Sequence, residues 1–385
     1  MKTLYIHIGC PKTATTSIQY FCNENKETLS KNGVYFPIFE QKYKNVNPFR
    51  NGHFLIAHQY DSNGNINTLD EQRIFRFNMD HIIYMFSKYD NILLSDEGIW
   101  YAAHFFRKEL WETLRKESLR SAFKIKIIVY LRRQDTSLNA MWNQKIKRSR
   151  HRFRSMSWDE FINTTPPAIY LNYEEGLNEI ASELGSENII IRRYGQQYLK
   201  NGSIYDDFLG TLGLCLTDDY TIDTFERNRR LSGNTNEIQR ILNSVPTATK
   251  KDFSFFYRML SEVSSEDPDD EKLGMFTSEE ASAFMEKYRD SNRRIMEKYF
   301  NRSEDLFKTN FKNIKKWEWD SRHMTEDIIR LLGVTTITIN KENEELRQQI
   351  ASLEHTIKQQ QQSVSDLKSK LKHPAKTILK KLFSI

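Results

Sequence analysis

Two textures of apolar residue alternate along the first half of the chain. Short apolar runs such as Leu4–Ile8, Ile92–Leu94 and Ile125–Leu131 have the length and β-branching of buried strands. Between them, apolar residues recur at helical spacing. The pattern predicts strand 3–8, helix 14–30, strand 34–36, helix 74–88, strand 91–94, helix 99–119, strand 125–131, helix 134–147 and a further strand at 188–193. Residues 40–70, rich in Asn, Gly and Pro, read as loop. Strands alternating with helices imply an α/β fold with a central parallel sheet joined by crossover helices. A ligand of such a sheet belongs at the carboxyl ends of the strands. From about residue 203 the pattern is mostly helical.

Near the C-terminus the spacing changes. Leu346, Ile350, Leu353, Ile357, Gln360, Val364, Leu367 and Leu371 alternate steps of four and three. This heptad seam has β-branched Ile350, Ile357 and Val364 at a and leucine at d, which favours a parallel two-stranded coil. Asn343 at a and Gln360 at d are polar interruptions of the kind that set register. The chain therefore divides into a main domain (1–335), a coiled coil (338–372) expected to make a homodimer, and a tail (373–385). An amphipathic helix packed back on the body is the competing reading.

The segment Gly9-Cys10-Pro11-Lys12-Thr13-Ala14-Thr15-Thr16-Ser17 links the first strand to the first helix. Backbone N–H groups and the dipole at a helix start favour an anion. Lys12 adds a mobile cation, and Thr13, Thr15, Thr16 and Ser17 add short donors. Neither G-x-x-x-x-G-K-[ST] nor G-x-G-x-x-G is present. The order G-x-P-K-T-[GA]-T-T-S resembles the 5′-phosphosulfate loop of sulfotransferases. That resemblance implies a P-loop-like three-layer fold. It also implies that Pro11, Lys12, Thr13, Ala14, Thr15, Thr16 and Ser17 cradle the 5′-phosphate of 3′-phosphoadenylyl sulfate (PAPS), with Lys12 near the oxygen bridging phosphate and sulfate. In the bland alternative the threonines only cap a helix.

A second segment extends the resemblance. Ile125–Leu131 ends in Arg132-Arg133-Gln134-Asp135-Thr136-Ser137, where sulfotransferases carry a strand–Arg–turn–helix that grips the 3′-phosphate. Arg132 matches that arginine, and a planar guanidinium suits a phosphate dianion. Gln134 stands where the family commonly has proline, and Ala140 where a serine is expected. Ser137 lies one helical turn earlier on the same face as a substitute. Gly33–Pro37, Asn91–Glu97, Arg230-Leu231-Ser232 and Ser291–Arg294 ahead of Tyr299-Phe300 fit a bacterial branch, so the resemblance spans residues 1 to 300.

Composition narrows the setting. The net charge of +6 is accounted for by six lysines between Lys368 and the end, where no acidic residue stands. The body is charge-balanced, which weighs against nucleic acid as substrate. Cys10, Cys22 and Cys215 form neither a disulfide framework nor a metal spacing. The chain opens on its first strand, without a secretory h-region or a membrane span. These features fit a reducing cytoplasm. Ile378, Leu379, Leu382 and Phe383 beside the tail lysines suit an anionic membrane surface, so peripheral attachment at the inner face is expected. The basic run Lys145–Arg154 reads either as a solvated helix end or as an electropositive rim.

The resemblance implies metal-free transfer of a sulfuryl group from PAPS to a hydroxyl or amine of a glycan, a bacterial cell-surface or capsular saccharide. The residues expected to act are Lys12 on the departing phosphate and a base. Glu97, after a strand end, is the first candidate base, and His53 in Asn51-Gly52-His53-Phe54 is its rival. Two alternatives are a P-loop phosphotransferase using Asp96 for magnesium and a non-enzymatic coiled-coil scaffold on a degenerate nucleotide fold.

Overall fold

A computed structural model gives the fold and describes residues 1–147, 154–164, 171–222, 231, 233–246, 248–264, 274–308, 311, 316–372, 378–379 and 382. Five parallel strands form one sheet: β1 (Thr3–His7), β2 (Val34–Tyr35), β3 (Asn91–Ser95), β4 (Lys124–Arg132) and β5 (Ile189–Tyr194), in the order β2-β3-β1-β4-β5. The helices are α1 (Thr15–Glu24), α2 (Lys26–Lys31), α3 (Thr68–Met85), α4 (Ile99–Phe105), α5 (Leu110–Ser121), α6 (Gln134–Lys147) and α7 (Trp158–Thr164). They continue as α8 (Tyr173–Leu184), α9 (Ile204–Thr211), α10 (Gly233–Leu242), α11 (Lys250–Ser264), α12 (Ser278–Glu286), α13 (Arg289–Phe300) and α14 (Ser321–Lys372).

Side chains alternate across the strands, and each face of the sheet builds its own core. Leu4, Ile6, Ile92, Leu94, Ile127 and Val129 pack on one side with Met79, Trp111 and Leu138 from α3, α5 and α6. Leu93, Ile128 and Tyr130 pack on the other with Ile18, Phe21, Leu29 and Phe208 from α1, α2 and α9. The result is the expected three-layer P-loop-like α/β fold. A strand buried on both faces needs a continuous apolar run, and Ile127–Leu131 supplies it.

Two of the expected helices are broken by tertiary contacts. The helix expected over 14–30 divides at Asn25, which is buried. Its side-chain amide donates to Phe21 O and Thr221 O and accepts from Thr221 N. The helix expected over 99–119 divides between Phe105 and Leu110 because Arg107 is drawn away. Arg107 donates to Ala57 O at 2.7 Å and pairs with Glu71 at 2.9 Å, bracing the loop that follows His53. The helix expected over 74–88 starts earlier, at Thr68, where the Asn67 side chain accepts from Asp70 N.

Register decides where the sheet presents its polar ends. His7 lies opposite Ser95 of β3 and Ile128 of β4. β1 and β3 therefore stop together, whereas β4 continues to Arg132. That overshoot is about 13 Å at strand rise. The chain turns to β2 and β3 on one side of β1 and to β4 and β5 on the other, so the ends of β3, β1 and β4 flank a topological switch point.

The start of α14 packs on the body: Met324 and Leu331 join Leu231, Ile238 and Leu260 in a separate small core. The helix then runs without a break across the expected boundary near 335–338, and residues 341–372 are exposed along its whole length. It does not fold back on the body. No described helix is long and apolar enough to cross a membrane. The acidic stretch 265–271, most of the basic run (148–153), Arg230, Ser232 and all of the tail except Ile378, Leu379 and Leu382 lie outside the described residues.

His7 sits fully buried under the crevice with Nδ1 2.9 Å from Ser95 Oγ. Burial lowers its pKa to about 3, only partly opposed by the charge of Asp96. An unfolded chain takes up that proton near its ordinary value of about 6.5. As pH falls from about 6.5 toward 3, the unfolded state binds more protons at this site, so His7 withdraws stability across that window. Urea unfolding midpoints should show a loss of about 1–2 kcal/mol between pH 7 and 5 that His7→Gln removes. Equal pH slopes for the two proteins would count against this account.

Candidate active site

The loop after β1 is held in a conformation that ordinary residues avoid. Gly9, Lys12 and Ala14 all have positive φ, at 46°, 69° and 59°. Two of them carry side chains, at a cost of about 1 kcal/mol or more each. Such alternation turns successive peptide N–H groups toward one side and makes an anion-binding concavity. Gly9 is required by space as well, since a Cβ there would sit 2.1 Å from the Thr15 methyl group. Ala14 is the N-cap of α1 and no side chain caps that helix. The reading in which the threonines merely cap α1 therefore fails.

The hydroxyls of the loop divide into two sets. Thr13 is buried and donates to Cys10 O at 2.6 Å, closing the turn around Lys12. Thr15 donates to the Glu97 carboxylate. Thr16, Ser17, Pro11 and Lys12 are half-buried on the rim of the loop.

Arg132 reaches across from the end of β4. Its Nη1 donates to Lys12 O at 3.0 Å, and its Nε donates to Thr136 Oγ1 at 3.2 Å. The guanidinium also lies 5.6 Å over the Tyr194 ring. Among the described residues no carboxylate pairs with it, whereas neighbouring Arg133 is bound by both oxygens of Asp135. Burial presses the Arg132 pKa below its ordinary value, and the more distant Tyr194, Tyr173 and Asp135 only partly oppose this.

Tyr173, at the start of α8, ties the two segments together. Its hydroxyl donates to Arg132 O at 2.6 Å and meets the Cys10 and Ser137 side chains. Ser137 is 1% exposed and turned toward this hydroxyl, not open on the crevice. Cys10 is no reactive thiol: it is buried, and burial raises its pKa to about 12. Gln134, where proline was expected, is buried and pairs with Asn292 of α13 through reciprocal amide hydrogen bonds of 2.8 and 3.2 Å.

The end of β3 carries a buried carboxylate. Asp96 accepts from Arg50 Nε and Nη2 at 3.1 and 2.5 Å, from Gly98 N at 2.6 Å and from His53 Nδ1 at 2.9 Å. Burial opposes its charge, but the hydrogen bonds from His53 and Arg50 prevail and hold the carboxyl below its ordinary range. An ionised Asp96 places the proton on His53 Nδ1 and leaves Nε2 as the basic nitrogen. The Tyr43 ring packs edge-on to His53 at 4.7 Å. Through Gly98 N, Asp96 also serves the start of α4.

Chain order separates Arg50, Tyr173, Thr136 and Tyr194, which orient the crevice, and no motif marks them. Thr136, four residues after Arg132, was the one legible in principle. Asp96 was legible only as a magnesium ligand, a role that its bonds to Arg50, His53 and Gly98 leave little room for. Among the described residues, His104, Glu175 and Glu179 bring ligand atoms within 4.8 Å of one another, but none belongs to the crevice.

No family model matches the chain. An uncharacterized protein of Archaeoglobus fulgidus is 28% identical over 181 residues, covering 46% of this chain and 46% of its own length. The match thus spans about half of that relative. A crystal structure of a sulfotransferase from Alicyclobacillus acidocaldarius aligns over 59% of this chain and 87% of its own, at 14% identity and a TM-score of 0.32.

Removing the Tyr173 hydroxyl would leave Arg132 O, Cys10 and Ser137 short of a buried partner. Tyr173→Phe should cost about 1–3 kcal/mol in denaturant unfolding while the fold persists. A change within error would mean that this hydroxyl does not brace the crevice.

Proposed function

We propose that the protein is a PAPS-dependent sulfotransferase. The observation that carries the reading is the direct bond between its two anion-binding segments, Arg132 Nη1 to Lys12 O at 3.0 Å. It sets a loop with a lysine, and a guanidinium that pairs with no carboxylate among the described residues, at the ends of adjacent strands. A nucleotide with phosphates at both 5′ and 3′ positions is complementary to that pair, and the resemblance at Gly9–Ser17 and Arg132 supplies the sulfuryl group. In this reading the loop N–H groups, Thr16 and Ser17 hold the 5′-phosphate, and Arg132 holds the 3′-phosphate.

The chemistry follows from the residues around the crevice. An acceptor hydroxyl attacks sulfur while the bond from sulfur to the bridging oxygen breaks. Lys12 stabilises the charge that develops on that oxygen. His53 Nε2 takes the acceptor proton, with Asp96 and Arg50 fixing the ring and its tautomer. We favour His53 over Glu97 because the Glu97 carboxylate is engaged by Thr15, where it holds the loop. The acceptor we propose is a glycan, and the loop around His53 is its natural side of approach.

Calorimetry with 3′,5′-phosphorylated adenosine tests the nucleotide assignment. Arg132→Ala should weaken that ligand about 10- to 100-fold and adenosine 5′-phosphate by a smaller factor, through the loop that Arg132 braces. Lys12→Ala should lower sulfuryl transfer by at least about 100-fold with the nucleotide still bound. Absence of binding to either nucleotide, with ATP turned over in a metal-dependent way, would instead favour a phosphotransferase.

Asp96→Asn and His53→Ala should each lower kcat about 100-fold or more and change KM little. Retention of kcat in His53→Ala, with loss in Glu97→Gln, would transfer the base to Glu97.

A further inference from the structure

The geometry points to a parallel, in-register homodimer whose seam begins at Ile329, on the part of α14 still packed against the body. This inference is independent of the reaction assigned above. α14 has two faces. Met324 and Leu331 join the small core, Asp327 accepts from Asn234 at 2.8 Å and Glu342 pairs with Arg258 at 2.9 Å. Those residues anchor one face to α10 and α11. Ile329, Leu332 and Ile339 lie roughly a third of a turn away and are 61%, 61% and 44% exposed.

These three residues continue the heptad register of Leu346, Ile350, Leu353, Ile357, Val364 and Leu367 without a skip: Ile329 falls at a, Leu332 and Ile339 at d. The six downstream seam residues are all about half exposed or more. The apolar stripe therefore runs for about 60 Å at helical rise, on the side the body leaves open. Beyond Glu342 every residue of the helix as far as Lys372 is exposed, and helices draw most of their stability from packing an apolar face.

A second copy of this chain is the occupant that fits. At Leu346–Ile357 and Val364–Leu367, β-branched residues at a with leucine at d select two parallel strands, and Asn343 at a pairs with its own counterpart only in register. Charges agree: in that register the g-to-e contacts are Glu342 with Arg347, Gln349 with Glu354, Thr356 with Gln361 and Ser363 with Lys368. None sets like charges together. Parallel pairing places both bodies at the same end of the coil, each on the outer face of its helix.

Light scattering on the full chain at micromolar concentration should give twice 45.8 kDa. Ile350→Lys with Ile357→Lys should give a monomer whose body melts as before, since both residues are exposed in the single chain. Oxidation of Asn343→Cys in a Cys215→Ser background should give a disulfide-linked dimer on a non-reducing gel. A monomeric or higher-order wild type, or a double variant that stays dimeric, overturns the proposal. A dimer that Asn343→Cys fails to cross-link overturns the parallel register.

Discussion

The crevice depends on one contact that spans 120 positions of sequence: the Arg132 guanidinium on the carbonyl of Lys12. β4 outruns its neighbour β1, so its last residue overhangs the loop that leaves β1. The overhang lets a side chain from one strand set the backbone of the loop from another. Lys12 and Ala14 stay at positive φ because Thr13 closes the turn on Cys10 and Arg132 holds the Lys12 carbonyl. Tyr173 then fixes Arg132 from behind through its own carbonyl. Strain in the loop is thus balanced by contacts from three separate segments.

Charge is handled in two opposite ways at the edge of the same sheet. Asp96 is buried and saturated, with Arg50, His53 and a backbone N–H on its oxygens. Such a carboxylate stays ionised and does positioning work on His53. Arg132 is held by a carbonyl, a hydroxyl and a ring face, none of which carries a full negative charge. A cation kept partly desolvated with no carboxylate partner among the described residues raises the local potential where the strands end, which favours binding an anion from solvent.

α14 obeys a different rule. The body forms its core by alternating residues across a sheet and needs no second chain. The helix spends one face on the body at its base and leaves the other apolar face exposed, and its length beyond Glu342 is exposed throughout the described residues. In the proposed dimer its stability in water comes from association rather than from the fold of the domain.

Much of the architecture was legible from the chain alone because it rests on local periodicity. The runs at Leu4–Ile8 and Ile125–Leu131 and the heptads from Leu346 onward each carry their own signal. The loop Gly9–Ser17 and Arg132 were readable for the same reason: motif chemistry is contiguous. Helix ends were not. Asn25 and Arg107 break two helices by reaching backbone groups at Thr221 and Ala57, and no window of sequence contains both partners. Likewise only the tertiary structure joined Arg132 to Lys12, turned Ser137 inward to Tyr173 and placed Asp96 against His53. Local sequence sets which residues favour strand, turn or helix, while the register of β4 against β1 decides which side chains meet, because pairing energy is summed over contacts distant along the chain.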